Sequence, residues 1–107
     1  MLYKFKSAAA GDLIMLEPNG RRVLETIGKE AGPTGIILPE QMLAAIDALT
    51  SAITREEAQQ QAAIAKAKAQ GEAPPSFEAV SLRKRAWPLV EMLQRCAKAN
   101  APITWGV

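Results

Sequence analysis

LYKFK, residues 2–6, sets Tyr3 and Phe5 on one side of an extended segment and Lys4 and Lys6 on the other. That alternation is the mark of a half-buried strand. A sheet covered on both faces would press the two lysines against a second layer, so one face of this sheet is expected to stay wet. The closing residues repeat the pattern, with Ile103, Trp105 and Val107 alternating with Thr104 and Gly106. A strand at each end of the chain invites their pairing. The expected fold is α+β: a small two-layer domain of two or three strands, with about three helices on one face.

Between the end strands the signals are mostly helical. Leu13, Ile14, Met15 and Leu16 form a short continuous apolar run, which suits a second, more central strand, although periodicity alone does not separate it from a helical piece. Pro18 fits a first helical turn, and PNGRRVLETIG then stops at Gly28 with Val23, Leu24 and Ile27 turned inward. AGPTG at 31–35 reads as turns and leads through Ile36, Ile37 and Leu38 to Pro39, which opens the next helix. There Met42, Ile46, Leu49 and Ile53 fall on one stripe. At Thr54 the sequence TREE resembles a capping box, and an Ala/Gln/Lys tract follows in which Ile64 is the one bulky apolar residue. Residues 54–75 are therefore expected to form a solvated helical extension or a poorly ordered arm on a single domain spanning 1–107.

Composition bounds the function. With 107 residues, 49% hydrophobic and 22% charged, the chain is an ordinary globular one. Its net charge of +2 is too small to demand a polyanion, but residues 1–53 sum to −1 and residues 54–107 to +3. Cys96 is the only cysteine, so no internal disulfide forms and a reducing compartment is the simpler expectation. No secretory signal or membrane-spanning run is evident, which points to the cytoplasm. Histidine is absent, removing the commonest metal ligand and general base together with Ser-His-Asp and Cys-His catalysis. GPTG at 32–35 and PNG at 18–20 lack phosphate-cradling spacing. Glu56 and Glu57 are neighbours whose side chains leave a helix in different directions. No cofactor, metal site or catalytic residue is implied.

One stretch asks for a further explanation: SLRKRAWPLVEMLQRC, residues 81–96. Leu82, Ala86, Leu89, Leu93, Cys96 and Ala97 make its apolar stripe. If Ser81 caps the helix, Arg83, Lys84 and Arg85 crowd a first turn already positive by its dipole, at a cost of about 0.3–1 kcal/mol each at low salt. That points to an anion or nucleic-acid site using Arg83, Lys84, Arg85 and Trp87. If instead Ser76 is the cap, with Glu78 in the first turn, the basic residues are a solvated face. Pro88 fits neither version easily, because it removes the bond to the carbonyl of Lys84 and should kink the helix.

MLYKFKSAAAGDLIML, GRRVLETIGKE, VSLRKRAWPLVEML and ITWG together resemble a family of short uncharacterised proteobacterial proteins, the "domain of unknown function eighteen-forty" group. The resemblance spans most of the chain outside 58–75. It implies a small bacterial cytoplasmic protein and carries over no functional residue. The leading expectation is a noncatalytic domain acting through protein contact, including self-association, by the 54–75 arm or an open sheet edge. The basic stretch as an anion or nucleic-acid module is the alternative, and an enzyme the third.

Overall fold

The computed structural model describes residues 2–76 and 81–106. Strand β1 (Leu2–Ser7) turns into β2 (Ala10–Leu16), and helix α1 (Glu17–Thr26) follows without a linker. Strand β3 (Gly35–Ile37), helices α2 (Pro39–Ala69) and α3 (Leu82–Ala99), and strand β4 (Ile103–Trp105) complete the order. The four strands form one antiparallel sheet in the order β2-β1-β4-β3. The two ends of the chain thus occupy its centre. Phe5 lies directly opposite Trp105, with ring centroids 5.9 Å apart in an edge-on arrangement, and Tyr3 stacks on Phe5 at 6.3 Å.

The expected α+β fold with paired terminal strands is what is found, and β3 adds a strand to the two or three expected. With three residues, and Leu38 and Pro39 immediately after it, β3 reads in sequence as the approach to a helix. All three helices lie on one face of the sheet. Tyr3, Phe5, Met15, Ile37, Ile103 and Trp105 join side chains from α1, α2 and α3 in a single buried cluster, while Lys4 and Lys6 are exposed. The apolar run of β2 was expected nearer the sheet's centre. It lies instead at an edge, and with only one face covered Met15 is buried while Ile14 and Leu16 are 56% and 62% exposed.

Helix ends follow local rules. Gly28, at φ 80°, closes α1, with the Lys29 N–H donating to the Leu24 carbonyl at 2.8 Å and the Gly28 N–H to Glu25 at 3.0 Å. Gly71, at φ 70°, closes α2 in the same way through Glu72 to Ala67. The αL residue ending α3 is Asn100. At the start of α2, the Leu38 N–H donates to Gln41 Oε1 at 3.0 Å, where Lys29 Nζ also donates at 2.8 Å.

Thr54 does not cap a new helix. Its hydroxyl donates to the Thr50 carbonyl at 3.0 Å inside an uninterrupted α2, because nothing in ALTSAITREEA breaks the helix before it. The 31 residues of α2 make a rod of roughly 46 Å at 1.5 Å per residue, which accounts for the 52 Å long axis of the molecule. No described helix is long and apolar enough to cross a membrane.

Candidate binding surfaces

The start of α3 is built by Ser81. Its backbone is extended (φ −69°, ψ 162°) and its hydroxyl accepts the Lys84 N–H at 3.2 Å, so it is the cap and Arg83, Lys84 and Arg85 do occupy the first turn. Because Ser81 is extended, α3 does not run back to a cap at Ser76; Glu78 lies outside the described residues. Helix α3 continues through Pro88 to Ala99.

Two carboxylates from the middle of α2 meet this basic turn. Glu56 Oε1 accepts the Leu82 N–H at 3.1 Å, and Glu56 Oε2 accepts from Arg22 Nη2 of α1 at 2.9 Å. Glu57 takes Arg83 side-on, Nε at 2.9 Å and Nη2 at 3.0 Å. That grip, chiefly through the hydrogen bonds, holds the Glu57 carboxyl below its ordinary value and raises Arg83 further. The Arg83 guanidinium also sits over the Trp87 ring, 5.5 Å from its centroid.

The four residues singled out in the sequence therefore have different surroundings. Arg83 is exposed but engaged by Glu57, and Lys84 is exposed beside it; Arg85 and Trp87 are half-buried, with Trp87 packed on the core. Arg83 and Trp87 are in contact. The dipole conflict that made the stretch look functional is met from within the chain, by carboxylates at the helix start. Nothing local in the sequence announces this, because Glu56 and Leu82 are 26 positions apart. Among the described residues no group of three or more Cys, Asp and Glu side chains is placed to hold a metal ion, and Cys96 is buried as a free thiol.

A second surface lies on the solvent side of the sheet. Leu2 pairs with Leu16 and Lys4 with Ile14 across β1 and β2, so Leu2, Ile14 and Leu16 stand together with 56%, 56% and 62% of their surfaces exposed. Asp12 forms an ion pair with Lys4 at 3.5 Å beside them. Between the β2 edge and α3 runs a furrow of about 180 Å³, with Ala10, Gly11, Asp12 and Leu13 on one wall and Pro88, Glu91, Met92 and Arg95 on the other. Sequence reading raised an open sheet edge but not these residues, since a continuous apolar run does not reveal which of its members is left outside.

No curated protein and no solved structure matches the chain. A family model described as Domain of unknown function (DUF1840) matches residues 1–105, from the first strand to the last. The chain belongs to that family.

Proposed function

We propose that this protein is a noncatalytic domain of the bacterial cytoplasm that works by protein contact through the β2 edge and the adjoining solvent face of the sheet. The observation that carries the reading is the cluster of Leu2, Ile14 and Leu16 beside a strand that, among the described residues, is paired on one side only. The alternative contact surface, the 54–75 arm, is less suited: Ala63 and Ile64 are half-buried and Ala67 is buried, so the apolar side of that helix is already withdrawn from water. The noncatalytic assignment is supported by the commitment of Glu56 and Glu57 to Arg22, Arg83 and the Leu82 amide.

The test is site-specific photo-cross-linking, with the reactive group at Leu16 and, as a control, at exposed Lys98. Discrete adducts from Leu16 alone, with this chain or another protein and competed by excess native chain, are expected. Equal labelling from both positions, or none from Leu16, would remove the sheet edge as the working surface.

The competing proposal keeps Arg83, Lys84, Arg85 and Trp87 as a site for an anion or nucleic acid. Exposed Lys84 favours it. An incoming anion would have to displace Glu57 from Arg83 and Glu56 from the Leu82 N–H, which makes it the second choice.

A further inference from the structure

We infer that the occupant of the β2 edge is a second copy of this chain, joined by antiparallel β2–β2 pairing about a two-fold axis, with Glu91 of each α3 meeting Arg95 of the other. The inference rests on the contact reading above and names its partner. Its first support is the strand. Within the sheet β2 is bonded to β1 alone, and none of the turn and loop backbone bonds among the described residues reaches Ala10–Leu16. An antiparallel edge is complementary to its own copy under a two-fold axis normal to the sheet.

The edge is guarded at one end only. The register irregularity in the β1–β2 pair falls between Phe5 and Ser7, opposite Gly11 and Asp12, leaving Leu13–Leu16 outside it, and β2 contains no lysine and no proline. Its single charge, Asp12, is already drawn to Lys4.

Charge complementarity identifies the partner as a copy. Glu91 and Arg95 are exposed, line the furrow beside β2, and enter no ion pair among the described residues. They are opposite in sign and one helical turn apart, about 6 Å along the axis. A two-fold axis normal to the sheet reverses α3 as it reverses β2. In the proposed dimer each Glu91 faces the other copy's Arg95, and the same pair forms twice.

Side-chain parity restricts the register. Centring the axis on residue 12 would oppose two Asp12 carboxylates and is excluded. Centring on 14 sets Ile14 against its copy and Asp12 against Leu16; centring on 13 sets Asp12 against Ile14. Both keep Ile14 and Leu16 on the solvent face, where they join Leu2 of each copy in one continuous apolar band.

Sedimentation equilibrium of the full chain from micromolar to millimolar concentration tests this, with Glu91→Arg, Arg95→Glu and the double exchange compared. Both positions are exposed, so the variants are expected to fold, which far-UV circular dichroism checks. A dimer is expected, weakened about tenfold or more by each single reversal, since each sets like charges against each other twice, and largely restored by the exchange. A monomer at every concentration overturns the inference. A dimer indifferent to both reversals overturns it too. If the chain is monomeric while Leu16 still cross-links specifically to another protein, the self-pairing fails and the contact reading stands; loss of both removes the two together.

Discussion

Glu56 accepts the backbone N–H of Leu82 at 3.1 Å, so a side chain of α2 closes the open end of α3. Its other oxygen holds Arg22, and one carboxylate thereby ties three helices together. Glu56→Ala would leave a first-turn N–H and a guanidinium to water alone. We expect it to lower stability by about 1–2 kcal/mol, the usual cost of a lost helix cap or charged hydrogen bond. Glu56→Gln keeps an acceptor for Leu82 and loses the charge facing Arg22, so its loss should be smaller. Urea denaturation of the two variants checks this, and equal losses would show that the cap contributes little.

Glu57 and Arg83 predict a pH dependence. The folded-state pKa of Glu57 is depressed below its ordinary value of 4.5, chiefly by the hydrogen bonds from Arg83. A group depressed on folding contributes stability that is fully present above its unfolded pKa and lost as pH falls through the folded one. The native protein should therefore exceed Glu57→Gln in stability near neutral pH, with the gap closing as pH drops below about 4.5. Both groups are at the surface, so added salt should shrink the gap as well. Denaturation midpoints on a pH series measure it; a gap that widens in acid would contradict the assignment.

How much of this was legible in the sequence depends on distance along the chain. Tyr3 and Phe5 against Lys4 and Lys6 gave the one-sided sheet, because alternation maps directly onto the two faces of a strand. Gly28 and the stripe from Met42 to Ile53 were equally readable, since caps and helical periodicity are written within a few residues. The partners of Arg83 were not. Its carboxylate comes from 26 positions upstream, and the TREE tract that supplies it imitates a helix start. Sequence reading weighed a solvated helix face against an external anion for these basic residues; the fold instead supplies their counter-charge from α2. The exposure of Ile14 and Leu16 was hidden for a related reason, as strand order decides whether an apolar run is central or at an edge.

Gly20 supplies a test of packing. It faces the Tyr3 side chain so closely that a Cβ would overlap its Cβ and the ring's Cγ and Cδ2. The ring has little freedom to retreat, because its hydroxyl donates to the Ala31 carbonyl at 2.9 Å and its face stacks on Phe5. Alanine is the better helix former by about 1 kcal/mol, whereas overpacking a buried contact costs about 1–3 kcal/mol and the neighbours here are pinned. Gly20→Ala should therefore destabilise on balance. In a Tyr3→Leu background most of that penalty should vanish, and a double-mutant cycle reads the coupling directly.

The basic turn makes a last prediction, about what it does not bind. If Arg83, Lys84, Arg85 and Trp87 served nucleic acid, affinity for a labelled oligonucleotide would fall steeply with salt, and Glu57→Gln, by releasing Arg83, would strengthen it. With its counter-charges supplied by α2, the native turn should show no salt-sensitive binding of single-stranded or duplex oligonucleotides at micromolar concentration. Fluorescence anisotropy at low and moderate salt distinguishes the cases, with an Arg83/Lys84/Arg85→Ala variant as the control. Binding by the native protein that the alanine variant loses would transfer the function from the sheet edge to α3. Binding that appears only after Glu57→Gln would identify Glu57 as a built-in competitor that keeps the turn closed to anions.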